Sequence, residues 1–149
     1  MGWRILESHV LIARTILSVC LVTMLASACS TTPIPASEAT PAPSERLSGL
    51  QSPPPGEFAT LVVTRDQGFY GSACDTVLSV DGKEVGRLRS GEVARFYAKP
   101  GAIILGAQTS AMCLGGLKER EVKLNPASTI RYRISIDSSG GLDLSPTAF

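Results

Sequence analysis

The stretch CDTVLSVDGKEVGRL, residues 74–88, contains two β-rich runs separated by the pair Asp81-Gly82. An Asp-Gly pair between two such runs is among the strongest local signals for a β-hairpin, because both turn residues must tolerate a positive φ. The stretch therefore predicts two neighbouring antiparallel strands joined by a tight turn.

Similar runs recur through residues 57–149, with turn residues between them. In Thr129–Ile136 the even positions are apolar and the odd positions are polar, which is the pattern of a strand with one buried face. Further runs lie at 58–64, 93–98, 102–109, 117–124 and 142–144. We count about seven short strands, which predict an all-β domain, a small antiparallel β-sandwich or a small barrel.

The composition excludes several function classes. A formal charge of +1 over 149 residues argues against a nucleic-acid binder, which normally carries a basic surplus. The only His and the only Trp are His9 and Trp3, in a segment that we expect to be removed. Without His, the mature chain has no Ser-His-Asp triad, no Cys-His pair and no His-ligated metal site. We therefore expect no catalytic residues, no metal and no cofactor.

The first 28 residues are typical of a secretory signal peptide. Arg4 and Arg14 precede the uncharged run 15–28, and small residues end it. At 14 residues this run is short for a membrane-spanning helix, which needs about 20. The alternative is a buried core helix, but the Pro-rich sequence that follows offers little to pack against it.

The sequence LASAC at residues 25–29 resembles the lipobox of bacterial lipoproteins. The resemblance implies that cleavage occurs before Cys29, that its thiol carries diacylglycerol, and that its amino group carries a palmitate-type acyl chain. Position 26 is Ala where the family prefers Leu. The alternative is a secreted protein cut at a conventional A-x-A site. Ser30 resembles the residue found after the Cys in outer-membrane lipoproteins, so we expect an outer-membrane anchor facing the periplasm.

Residues 29–56 are predicted to be the lipidated Cys followed by a disordered linker. The 27 residues 30–56 hold seven of the ten prolines and no aromatic residue. As a flexible coil they would span roughly 29 Å, and as extended polyproline II about 84 Å. The sequence therefore predicts that the domain at 57–149 stands off the membrane.

Two cysteines remain for a disulfide in the mature domain. With Cys20 removed and Cys29 bound to lipid, only Cys74 and Cys113 can pair. The oxidising cell envelope favours the bond. The alternatives are a metal pair, which would lack His partners, and a redox pair, which is normally Cys-x-x-Cys.

The sequence VDGKEVG at residues 80–86, followed by Leu88, Gly91-Glu92 and Pro100-Gly101, resembles PEGA-like β-sandwich domains and small bacterial lipoproteins of unknown function. The resemblance covers roughly residues 58–110, and KPGA at 99–102 stands where the PEGA signature would be. It implies a fold and brings no catalytic residues.

The segment 65–72 places Phe69 and Tyr70 side by side in a Gly-rich loop. If the disulfide forms, Met112 lies near them, and the three side chains could form a contact surface for a partner protein. The alternative, which we favour, is that Phe69 or Tyr70 plugs the end of the sandwich.

A basic stripe is the other surface hypothesis. Arg131 and Arg133 share a strand face, with Lys118 and Arg120 possible neighbours. The acidic residues interleaved with the latter two favour ordinary charge pairing instead.

These observations favour a non-catalytic envelope lipoprotein, a lipid-tethered β module that binds or scaffolds another envelope component. The alternative is a periplasmic inhibitor or immunity-type lipoprotein, whose loops would block an enzyme or toxin. An enzyme is the third hypothesis, and it would need catalytic groups other than His.

Overall fold

A computed structural model describes residues 31–109, 111–113 and 116–148. The predicted signal peptide and the predicted lipidation site, Cys29, lie outside the described residues, so both stay predictions. Within the described ranges, no helix is long and apolar enough to cross a bilayer.

The described chain consists almost entirely of β-strands, which confirms the predicted all-β class. Two single 3₁₀ turns, Ser44–Arg46 and Ala111–Cys113, are its only helical elements. The strands are β1 Thr40–Pro41, β2 Ala59–Arg65, β3 Thr76–Val80, β4 Lys83–Leu88, β5 Glu92–Ala98, β6 Gly101–Thr109, β7 Leu117–Leu124, β8 Thr129–Ile136 and β9 Leu142–Pro146.

The strands form two sheets, one in the order β1-β5-β2-β8-β9 and the other in the order β4-β3-β6-β7. The two sheets enclose one hydrophobic core, so the domain is a β-sandwich. Most neighbouring strands are antiparallel, as predicted, but β2 pairs with β8 and β1 pairs with β5 in parallel. Both parallel pairs join strands that are distant in sequence, since parallel neighbours cannot be connected by a tight turn.

The hairpin between β3 and β4 turns at Asp81-Gly82, as the sequence predicts. Asp81 has a φ of 50° and Gly82 a φ of 74°, so both turn residues adopt the left-handed conformation. The Asp81 backbone N–H donates to the Ile104 carbonyl at 2.9 Å, and an Asp81 carboxylate oxygen accepts from the Ile104 N–H at 2.8 Å. The turn residue therefore also fixes the hairpin to β6.

The inner faces of the two sheets supply the core. The alternation in β8 is confirmed, since Tyr132, Ile134 and Ile136 are buried while Arg131 is exposed. The largest fully buried apolar side chains come from the eight strands β2 to β9 and are Phe96, Leu61, Leu78, Leu88, Leu105, Leu124, Ile134 and Leu144.

Part of the predicted linker is bound to the sandwich, which contradicts the expectation of disorder for that part. The Thr40 backbone N–H donates to the carbonyl of Gly91, just before β5, at 3.0 Å, and the Ala42 N–H donates to the carbonyl of Val93 in β5 at 2.9 Å. Pro41 lies between them, at the position in the ladder where no donor is needed. The sequence of β1 therefore suits the edge of this sheet despite its proline.

The same segment then crosses to the edge of the second sheet. Leu47 forms an isolated bridge with Gly86 of β4, and the Ser48 N–H donates to the Val85 carbonyl at 3.0 Å. A Cβ at position 86 would lie 2.8 Å from Leu47 Cδ2 and 3.2 Å from the Arg46 carbonyl oxygen, so glycine favours the close approach. Ala42, Leu47 and Leu50 add to the core. The segment thus covers two edge strands that would otherwise expose unpaired backbone groups.

Composition alone does not predict that this segment is ordered, because its stability comes from the sheet edges to which it binds. It buries only a few small apolar side chains, but existing sheet edges supply its hydrogen-bond partners. Its prolines also restrict the unfolded chain and so reduce the entropy lost on ordering.

Candidate functional site

One end of the sandwich carries the predicted cysteine pair and the predicted contact residues. Cys74 and Cys113 lie at disulfide distance, with their Cα atoms 6.4 Å apart and a sequence separation of 39. The pair connects the loop that follows β2 to the 3₁₀ turn that holds Met112. We call this end the disulfide cleft; its lining comprises residues 69–74, 112–113, 136 and 138–140.

The disulfide cleft has a volume of about 530 Å³ and brings together all three predicted contact residues, Phe69, Tyr70 and Met112. Phe69 is 85% exposed, Met112 is 96% exposed and Tyr70 is 36% exposed. The prediction that an aromatic residue plugs the sandwich is therefore wrong for Phe69. Among the described residues that line the cleft, none carries a charged side chain.

Arg65, rather than an aromatic residue, fills this end of the sandwich. Its side chain is only 1% exposed at the end of β2. The guanidinium donates to the Leu88 carbonyl at 3.0 Å and to the carbonyls of Gly71 and Cys74. One buried side chain therefore ties the loop between β2 and β3 to the end of β4.

Burial lowers the pKa of the Arg65 guanidinium from its ordinary value, because the charged form loses its hydration. The negative charges of Asp75 and Glu92 act in the opposite direction. The three carbonyl oxygens accept hydrogen bonds in place of the water that the cation loses. Arginine suits this position because its planar fork donates in several fixed directions.

Gly71 is held against Arg65 by a backbone conformation that favours glycine. Its φ is 64°, and a Cβ there would lie 2.7 Å from Ile136 Cδ1 and 3.3 Å from Arg65 Nη2. Gly82 has a similar φ, 74°, but an added Cβ would meet nothing within 4 Å. Substitutions at the two positions can therefore be compared to separate the cost of the left-handed conformation from the cost of a steric clash.

We expect Gly71→Ala to lower the free energy of unfolding by about 2–3 kcal/mol, because it adds overpacking to backbone strain. Gly82→Ala should cost only about 1 kcal/mol, since backbone strain acts alone there. Urea unfolding of both variants measures the difference. Equal losses would show that the Gly71 loop does not pack on Arg65 and Ile136 as described.

A tight turn forms the opposite wall of the cleft. An Asp137 carboxylate oxygen accepts from the Ser139 N–H at 2.8 Å, the Ser139 hydroxyl at 2.6 Å and the Gly141 N–H at 2.9 Å. These hydrogen bonds, with the Ser139 hydroxyl first, hold the pKa of the Asp137 carboxyl below its ordinary value. The ionised carboxylate therefore organises residues 138–140 around the cleft.

The basic stripe considered from the sequence does not form. Arg133 pairs with the buried carboxylate of Asp66. Arg120 lies on the other sheet, where its Nε donates to the Leu144 carbonyl at 3.0 Å and its Nη2 lies 3.4 Å from Asp143. These contacts join strands and sheets, as charge pairing predicts, and leave the two arginines on separate surfaces.

The groove on the other side of the disulfide differs from the cleft in being charged. It has a volume of about 480 Å³ and includes Asp75, Arg87 and Arg89. Arg89 pairs with Asp75 at 2.9 Å, and Arg87 pairs with Glu84 at 2.7 Å. Because these charges are compensated in pairs, the uncharged cleft is the more distinctive surface.

Within residues 31–109, 111–113 and 116–148, no three His, Cys, Asp or Glu side chains are grouped so that they could hold a metal ion. The expectations of no cofactor and no catalytic residue stay predictions.

Comparison with known proteins gives this chain no relatives. It matches no family model, and no curated protein or solved structure shows significant similarity to it.

Proposed function

We propose that this chain is a non-catalytic lipoprotein of the bacterial cell envelope, anchored through Cys29 in the outer membrane and facing the periplasm. Its β-sandwich, which we relate to PEGA-like domains, presents the disulfide cleft to another envelope component. The observation that carries the proposal is the uncharged cleft, with Phe69 and Met112 almost fully exposed at one end of an otherwise well-packed domain.

Exposed apolar side chains that are grouped at one site indicate a contact surface more often than the rest of a protein surface does. The cleft loop 67–73 carries no charged residue. This composition favours an apolar contact over the alternative of an inhibitor or immunity-type lipoprotein, for which we would expect a strongly charged loop complementary to its target.

Intact mass tests the anchor. The full chain, expressed in a double-membraned bacterium, should yield a membrane-bound species of residues 29–149 carrying a diacylglyceryl group and an acyl chain. Cys29→Ser should abolish the added mass and the membrane association. Cys20→Ser is the matched control, because it alters a cysteine of the signal peptide and should leave the mature species unchanged. A water-soluble product that retains residues 1–28 would contradict the proposal.

A further inference from the structure

The chain is fixed to the sandwich almost as soon as it leaves the proposed lipid site. The Thr31 hydroxyl donates to the Ile136 carbonyl at 3.2 Å and accepts from the Ile136 N–H at 3.1 Å. Thr32 forms an antiparallel bridge with Gln67, with N–H to carbonyl distances of 2.6 Å and 3.1 Å. Ile136 lines the disulfide cleft, and Gln67 lies two residues before Phe69. The chain therefore enters the domain at the cleft.

The proposed anchor is consequently short. Cys29 precedes Thr31 by two residues, and a fully extended chain gains at most about 3.6 Å per residue. The Cα atom of Cys29 thus lies within about 7 Å of that of Thr31. The Pro-rich segment begins after this point and runs along the sandwich, so it adds no length between the anchor and the cleft.

This tether leaves little space between the disulfide cleft and the membrane. A single α-helix with its side chains is about 10–12 Å wide, which exceeds the reach of the tether. A protein partner could therefore not lie between the cleft and the lipid headgroups while the acyl chains stay in the bilayer.

We infer that the disulfide cleft is a membrane-docking surface, on which Phe69 and Met112 enter the boundary between headgroups and acyl chains beside the lipidated Cys29. This inference rests on the proposed anchor and names the bilayer as the envelope component that the cleft contacts. Tyr70 combines an apolar ring with a hydroxyl group, which suits the membrane–water interface. The uncharged lining avoids the cost of bringing an ionised group to that depth.

Fluorescence quenching in vesicles tests the docking directly. Because Trp3 lies in the signal peptide, Phe69→Trp gives a mature lipoprotein with a single indole. The full lipidated protein is reconstituted in vesicles of phosphatidylethanolamine and phosphatidylglycerol that contain lipids brominated in the upper part of the acyl chains. Lys99→Trp is the matched control: Lys99 is exposed and follows β5 at the opposite end of the sandwich, about 20 Å away.

We expect the indole of Phe69→Trp to be quenched several-fold more strongly than that of Lys99→Trp, with its emission shifted to shorter wavelength. Adding Met112→Asp should reduce this quenching, because a carboxylate resists entry into lipid. Equal quenching of the two indoles would overturn the inference. Cross-linking of residue 69 to an envelope protein in place of quenching would also overturn it, and would assign the cleft to a protein partner.

The mass of the same samples separates the two proposals. A lipidated protein without preferential quenching leaves the anchor in place and removes only the docking surface. A protein without lipid at Cys29 removes the anchor, and the docking surface with it.

Discussion

Replacing Arg65 by Met should lower the free energy of unfolding by about 3–5 kcal/mol. The substitution keeps an unbranched side chain but removes the donors to the carbonyls of Gly71, Cys74 and Leu88. A buried carbonyl left without a donor costs about 1–3 kcal/mol, and water entering the cleft would recover part of that cost. The loss should therefore exceed that of an ordinary surface substitution several-fold.

Urea unfolding of purified residues 30–149 measures this effect, and hydrogen exchange should show lower protection in the cleft loop. Arg131→Met is the matched control, because Arg131 is exposed on the adjacent strand of the same sheet. It should change the stability by no more than about 0.5 kcal/mol. If the two variants are equally stable, Arg65 does not hold the loop and the structure of the cleft is wrong at its centre.

The part of the fold that local sequence encodes could be predicted. The strand Thr129–Ile136 is encoded by apolar residues at every second position, and its buried face is as expected. The turn at Asp81-Gly82 is encoded by two residues that tolerate a positive φ, and it is also as expected. The pairing of β2 with β8 has no such signature, because these strands are parallel and about 70 residues apart. Local patterns predict strands better than they predict strand order.

The burial of Arg65 could not be predicted from the sequence. Arginine is rarely buried without a partner, and its partners here are backbone carbonyls, which every sequence contains. Only the fold brings together the end of β2, the loop that follows β2 and the end of β4. The position of Arg65 directly after a β-rich run is consistent with a strand end, but it does not distinguish a buried arginine from an exposed one.

The three predicted contact residues line one cleft, and their role as a contact surface stays a prediction. The cysteine pair places Met112 beside Phe69 and Tyr70, as the sequence implies. The preferred interpretation of an aromatic plug is wrong for Phe69 because Arg65 already occupies that space. The expectation of a disordered linker is wrong for residues 31–50, because this segment lies along the edges of the sandwich.

Removing the disulfide should have the second large effect. A bond between Cys74 and Cys113 closes a loop with a sequence separation of 39, and the chain-entropy model assigns such a loop about 4 kcal/mol. The double variant Cys74→Ser, Cys113→Ser should lose this amount in urea unfolding. Because the bond also holds the turn with Met112 against the cleft loop, exchange protection should fall at both sides of the cleft.

The covalent state of the two cysteines must be established on the same protein. Intact mass should rise by two hydrogens on reduction of the wild-type chain, and the reduced protein should then unfold at the same urea concentration as the double serine variant. That agreement is expected because both states lose the same constraint on the unfolded chain. Free thiols in protein isolated from the cell envelope would contradict the bond. If the double serine variant is as stable as the oxidised wild type, the cleft is held by Arg65 without a contribution from the disulfide.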